Sequence, residues 1–270
     1  MTTRRERLRG LHINRMIPNM LTLLALAFGL SSIRFALQER WEIAVLAIVA
    51  AAVLDGLDGR IARILKGASK FGAELDSLSD FLCFGVAPAV VLYVWALDDA
   101  GRFGWSLVLL YSICCALRLA RFNTVLDDTE QPAWTRNFFT GVPAPAGGGL
   151  ALIPMALWFQ TDAPLLRELF VVAVVMVTVS GLMVSRIRTY SFKKIRIAPS
   201  GILPTMLGIS LFLAFLVSAP WITLSVTALA YLISIPFGAR AYAQQKRRHA
   251  AATPPATPPA TGTPAEGPGE

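Results

Sequence analysis

Asp55, Asp58, Asp76 and Asp80 are the residues of this chain best suited to do chemistry. Asp55 and Asp58 are spaced i, i+3 and Asp76 and Asp80 i, i+4, so on helices each pair shares one face. The connection between them, 64–78, is short enough to fold the two faces together as a hairpin. Four carboxylates within a few Å of one another cannot all stay ionised without cations, and hard oxygen ligands of this kind suit Mg²⁺, Mn²⁺ or Ca²⁺. Small residues surround the acids: Gly59 lies one turn after Asp55, Ala62 one turn after Asp58, and Gly72 one turn before Asp76. Bare backbone there leaves room for a bulky ligand. Arg63, Ser69 and Lys70 supply donors at the same end, as a phosphate bridging metal and protein requires. Metal and phosphate together point to phosphoryl transfer. Each part also has a plainer use: small residues permit close helix packing, Lys66 enforces topology, and intramembrane acids line ion or proton paths.

The elements that must position these acids are membrane helices. The chain has 270 residues, is 55% hydrophobic and has a mean hydropathy of +0.57, too apolar for a soluble domain with a polar surface. A spanning helix needs about 20 apolar residues. About eight such stretches are predicted, at 17–37, 41–62, 79–97, 104–122, 143–160, 165–185, 202–219 and 221–240. They are continuously apolar rather than alternating, which implies an all-α polytopic bundle and not a barrel. The acids sit at the end of the second span and the start of the third.

Assigning the loops alternately to two sides places 21 of the 25 Lys and Arg with the N-terminus; only Arg34, Arg40, Arg102 and Arg167 fall opposite. The positive-inside rule makes both termini, and the acidic rim, cytoplasmic. This topology and anionic membrane lipids account for the pI near 9.9, and no nucleic-acid partner is expected. No cleavable signal segment is expected before the first span. Residues 1–16 read as a basic arm, either solvated or lying on the membrane as an amphipathic helix, and 17–240 as the membrane domain. The Ala-, Thr- and Pro-rich 241–270 reads as a disordered cytoplasmic tail. Cys83, Cys114 and Cys115 lie within predicted spans without ligand spacing, which points to packing.

In order, the acidic stretch is Asp55, Gly56, Leu57, Asp58, Gly59, Arg60, Ile61, Ala62, Arg63, then eight residues, Gly72, three, Asp76, three, Asp80. This resembles the signature D-x-x-D-G-x-x-A-R followed by G-x-x-x-D-x-x-x-D of the CDP-alcohol phosphatidyltransferase family, with every position filled. The resemblance implies a six-helix catalytic core that transfers a phosphatidyl or related group from a CDP-linked donor to an alcohol, releasing CMP. It implies that Asp55, Asp58 and Asp76 are metal ligands, and that Asp80 is both a ligand and the general base. Two Mg²⁺ or Mn²⁺ ions are expected, with Ca²⁺ the alternative. The CDP-diacylglycerol site would take Gly59, Ala62, Arg63, Ser69 and Gly72, together with Pro18, Asn19 and Thr22, which resemble the family's P-N-x-x-T element.

Flanking sequences are similar to the phosphatidylserine synthase branch: Phe71 to Leu78, Phe84 to Pro88, Arg118 to Asn123, and Leu182 to Ser185 leading to Lys193 and Lys194. One departure is Arg188, where proline is common. The branch implies L-serine as acceptor, with Arg118, Arg121 and Lys193 as candidates for its carboxylate or for the donor phosphates. It also implies a homodimer in a bacterial inner membrane. Glycerol phosphate, inositol phosphate or choline are the other acceptors within the family, and a divalent-cation transporter is the alternative from another class.

Overall fold

The computed structural model describes residues 4–65, 67, 69–127, 138–185, 187–190 and 202–252. All eight apolar stretches are helical. Helix α1 (Arg4–Leu37) runs without a break through the expected N-terminal arm into the first span, and it packs along α2 (Trp41–Ile64), whose last turns carry Asp55 and Asp58. Helix α3 (Lys70–Asp80) then begins the third span, which continues through a π-helical segment (Phe81–Val86), α4 (Ala87–Leu92) and a second π segment (Tyr93–Leu97). Helix α5 (Arg102–Asp127) returns to the rim bearing the acids. The remaining helices are α6 (Ala144–Ala151), α7 (Ile153–Thr161), α8 (Leu169–Val184), α9 (Ile202–Ser218) and α10 (Pro220–Ala252).

Among the described residues, four stretches are long and apolar enough to cross a membrane: Met16–Leu37, Lys70–Ala100, Arg102–Thr124 and Pro220–Gly238. Leu169–Val184 and Leu203–Ser218 are shorter apolar helices. Helix α2 has the length, at 24 residues, but carries Asp55, Asp58, Arg60 and Arg63 in its final turns. The span expected at 143–160 is two helices rather than one. Pro154 has no N–H to continue the ladder, and the chain breaks at Leu152 before α7 begins. The last helix continues past the expected boundary at 240 to Ala252, because Ala, Gln, Lys and Arg favour a helix until Thr253-Pro254-Pro255. The described residues thus form an all-helical membrane bundle except for one small ribbon, β1 (Phe138–Thr140) antiparallel to β2 (Arg188–Tyr190), in which Arg188 stands opposite Thr140.

The π segment beginning at Phe81 has a local cause and a tertiary solution. Pro88 lacks an N–H, and Ala87 N–H returns five residues to Leu82 O, so at least one carbonyl of this turn needs another donor. Tyr111 Oη donates to Phe84 O at 3.0 Å and Ser112 Oγ to Gly85 O at 3.0 Å, both from α5. On its other side the third span meets α1: Ser79 Oγ donates to Thr22 O at 3.4 Å and the Cys83 thiol to Ala25 O at 3.3 Å. All three cysteines are free thiols; Cys83 and Cys115 are buried and Cys114 is partly so. The buried core, with Phe84, Trp95, Tyr111, Met176 and Met183, surrounds this third span.

Close approach of α1 to the third span depends on Gly29, where an added Cβ would lie 2.6 Å from Cys83 Sγ and 3.2 Å from Cys83 Cα. Because backbone and not only a flexible tip blocks the space, Gly29→Val is expected to cost about 1–3 kcal/mol by forcing the helices apart. Gly181→Ala, whose Cβ meets nothing within 4 Å, is expected to leave stability unchanged. Thermal unfolding of both variants in detergent checks the contrast.

Candidate active site

The hairpin from α2 to α3 brings the acids together. Carboxylate oxygens of Asp55, Asp58 and Asp76 all lie within 4.8 Å of one another, from two helices whose ends are joined by five residues. Asp58 is the most enclosed, 3% exposed, and Thr22 of α1 donates its hydroxyl to Asp58 Oδ2 at 2.6 Å. The same hydroxyl lies 3.1 Å from Pro18 O, so the stretch from Pro18 to Thr22 forms a wall of the site. Asp80 stands outside the three-acid cluster but faces Asp55 closely enough to share a proton or a cation with it. Asp80 Oδ1 is enclosed and accepts no hydrogen bond among the described residues.

A divalent ion fits these residues. Three carboxylates on rigid helices offer a hard, all-oxygen set, and the orphaned Asp80 oxygen is a buried acceptor that lacks the donor such an atom ordinarily finds. Without a cation, like charges at these separations repel across a medium of low dielectric constant. Arg118, 7% exposed, brings a fixed positive charge: it lies within electrostatic reach of Asp55 and Asp80, with its guanidinium 5.5 Å from the centre of the Phe122 ring.

The other sequence-expected residues divide by what they touch. Gly59 and Gly56 face open space, since a Cβ at either would meet nothing within 4 Å, and Ala62 is partly buried one turn after Asp58. Room for a ligand beside Asp55 and Asp58 is therefore real. At Gly72 the space is filled: an added Cβ would lie 2.9 Å from Asn19 Oδ1, so this glycine lets α3 approach α1. Ser69 is the N-cap of α3, its Oγ accepting from Gly72 N at 3.0 Å. Arg63 donates from Nε to Gly59 O at 2.9 Å, which fixes its inner edge, and its guanidinium makes no further contact among the described residues.

Arg121, a candidate for the serine carboxylate or the donor phosphates, reaches the end of α8. It donates to the carbonyls of Val184 at 2.9 Å, Ser185 at 3.0 Å and Met183 at 3.4 Å. These are helix-terminal carbonyls with no intrahelical donor, and a guanidinium both bonds them and complements the helix dipole. Lys193 lies outside the described residues. Asn123, whose Nδ2 donates to Ser77 Oγ at 3.0 Å, ties α5 to the helix bearing Asp76 and Asp80. Neither that tie nor the placement of Tyr231 near Arg118 has a signal in residue spacing, because both join elements far apart in sequence.

Comparison with known proteins agrees with this geometry. The pattern of the CDP-alcohol phosphatidyltransferase family matches residues 15–180, and that of CDP-alcohol phosphatidyltransferase 2 matches 202–236. The chain is 43% identical over 237 residues to the CDP-diacylglycerol–serine O-phosphatidyltransferase of Mycobacterium leprae, covering 88% of this chain and 78% of that protein. It is 36% identical over 223 residues to the protein of the same name from Helicobacter pylori strain 26695, covering 81% and 88%. It is also 32% identical over 176 residues to the archaetidylserine synthase of Methanothermobacter thermautotrophicus, covering 63% and 68%.

Thr22→Val keeps the shape of the side chain and removes the hydrogen bond to Asp58. Loss of such a supporting partner is expected to weaken metal affinity by about 10–100-fold. Mn²⁺ titration of the purified protein, followed by electron paramagnetic resonance, measures this without turnover.

Proposed function

The chain belongs to the CDP-alcohol phosphatidyltransferase family, and we propose that it transfers the phosphatidyl group of CDP-diacylglycerol to the hydroxyl of L-serine, giving phosphatidylserine and CMP. The observation that carries this reading is the convergence of Asp55, Asp58 and Asp76 within 4.8 Å beside Asp80, in a chain whose relatives are named for serine as acceptor. Asp55, Asp58 and Asp76 would hold divalent metal, with Asp80 completing the set, and two Mg²⁺ or Mn²⁺ ions are the occupants we assign. Bound metal would neutralise the donor diphosphate and stabilise the charge left on CMP.

The chain's own groups supply the rest. Gly56 and Gly59 leave open the space that the donor's nucleotide and phosphates need, and Arg63, fixed through Nε, presents its terminal nitrogens to them. In the transfer, the serine hydroxyl oxygen bonds to the phosphatidyl phosphorus, the phosphoanhydride bond to CMP breaks, and Asp80 takes the hydroxyl proton. Asp80 suits that role because Oδ1 has no competing donor among the described residues and the backbone carrying it is anchored to α1 and α5 on either side. Arg118 is the cation available to the serine carboxylate or to a donor phosphate. The positive-inside distribution, with 21 of 25 Lys and Arg on one side, supports a bacterial inner-membrane protein with both termini and the site facing the cytoplasm. The catalytic domain is assigned to 17–240, and a homodimer is the assembly the family resemblance favours.

Purified protein supplied with CDP-diacylglycerol and Mg²⁺ or Mn²⁺ is expected to release CMP with L-serine and not with glycerol phosphate, inositol phosphate or choline. CMP release with another acceptor and none with serine would reject the serine assignment. Chelation by EDTA should abolish release, and either metal should restore it. Asp80→Asn is expected to lower turnover by about 10²–10⁴-fold while CDP-diacylglycerol still binds; loss of binding together with loss of fold would make Asp80 structural. Arg63→Ala should raise the donor KM more than it lowers kcat, as steady-state kinetics will show.

A further inference from the structure

At the end of the bundle opposite the acids lies a charged cavity of about 700 Å³, bounded by the close of the third span, the end of α7 and the start of α8. Helix α8, 16 residues or about 24 Å long, separates it from the carbonyls that Arg121 holds. The charged residues of the cavity are Arg167 and the acids Asp98, Asp99, Asp162 and Glu168. Arg167 is pinned in place: Nε donates to Trp95 O at 2.8 Å, and the guanidinium lies 6.0 Å from the centre of the Trp95 ring. Among the described residues it nevertheless forms no ion pair, although four carboxylates share the cavity with it. The Tyr93 hydroxyl engages Asp98, whereas Asp99, Asp162 and Glu168 are exposed and have no side-chain partner among the described residues. Trp95 is 1% exposed, and its enclosed Nε1 has no acceptor there either. An apolar groove of about 360 Å³ adjoins the cavity: Leu169 lines both, and the groove runs between α5 and α8 past Leu107 and Ala173 to Thr178. Leu169, Val174 and Val177 are exposed along it, so it faces the surrounding hydrocarbon. Tyr93 against Trp105 and Trp95 against Trp158, with ring centres 5.5 and 5.8 Å apart, stand at this end, as aromatic residues do at a membrane surface.

We infer that cavity and groove together bind one phospholipid of the leaflet opposite the acids, with a headgroup carrying both phosphate and ammonium in the cavity and an acyl chain in the groove. Opposite charges that line one cavity without pairing are each left for a ligand that bears both signs. The terminal nitrogens of Arg167, whose inner edge is already fixed, suit the phosphate, and Asp99, Asp162 and Glu168 suit the ammonium. An anionic headgroup without an ammonium would answer Arg167 but set its charge against the carboxylates. A small free zwitterion would fill the cavity and leave the groove unused. The shared wall at Leu169 joins a charged site to one that accepts hydrocarbon, and a membrane lipid joins the same two parts. Such a lipid ties the third span to α7 and α8 at the end of the bundle remote from the metal site, so its binding is separate from the proposed transfer.

Phosphatidylethanolamine with a photoreactive group on one acyl chain, added to the purified full-length protein in detergent, is expected to label the groove residues of α5 and α8. Unlabelled phosphatidylethanolamine should displace it about tenfold better than phosphatidylglycerol with the same chains, the equivalent of about one charge-assisted hydrogen bond. The double variant Asp99→Asn, Glu168→Gln should lower the labelling by a similar factor of about ten. Glu39→Gln with Glu42→Gln removes equal charge at the same end but outside the cavity, and should leave the labelling unchanged. Phosphatidylethanolamine should also raise the Tm of the wild type and not that of the Asp99, Glu168 double variant, the two unfolding alike without lipid. Equal displacement by the two lipids would mean that bulk lipid fills the groove. Displacement by glycerophosphoethanolamine, which has the headgroup and no chains, as efficient as by the lipid would mean a free zwitterion. Labelling that disappears as a dimer forms would mean that a second copy covers the face. Each of these results overturns the assignment, and the displacement series reads them in the wild type whether or not a variant folds. Because none of these measurements uses turnover, failure of the wild type to release CMP would reject the proposed activity and leave this site to be decided by the labelling.

Discussion

Mutual repulsion among buried carboxylates is the constraint around which this molecule is arranged. Asp55, Asp58 and Asp76 bring their oxygens within 4.8 Å of one another at the edge of a membrane bundle, where little water screens them. Such a cluster persists only if rigid elements hold it and cations or donors answer it. Thr22 answers Asp58 with a 2.6 Å hydrogen bond, and Arg118 sets a buried positive charge near Asp55 and Asp80. What remains unanswered among the described residues is the Asp80 oxygen.

Holding the cluster falls to helices that are irregular where they need to be. The third span departs from α-helical geometry immediately after Asp80, and the carbonyls this frees are taken by Tyr111 and Ser112 of α5. On the opposite side, Ser79 and Cys83 donate to the backbone of α1. Asp80 is thus clamped between two neighbouring helices by bonds that hydrocarbon cannot replace, since unsatisfied backbone groups there are costly. The π segment is therefore part of how Asp80 is placed, and Pro88 is its local origin.

The two ends of the site call on different physics. At the acidic rim the chain offers open glycine backbone, carboxylates and the Arg63 guanidinium, which suits a charged nucleotide. One turn deeper, Ala52, Val53 and Phe84 line an almost wholly apolar cavity that α9 and α10 close on one side. A lipid activated by a nucleotide has this same division within one molecule.

Residue spacing alone determined the helical hairpin and the acids it joins. Intervals of three and four leave little choice of face, and apolar runs of spanning length leave little choice of solvent. The tertiary structure decided the roles of groups whose chemistry admits several partners. A serine hydroxyl or a guanidinium can serve a ligand or a helix end equally well. Only proximity shows that Ser69 caps α3, that Gly72 admits Asn19, and that Arg121 holds the carbonyls ending α8. Tyr231 and Gly149 carried no signal in the chain, because the apolar cavity they line exists only where helices distant in sequence meet.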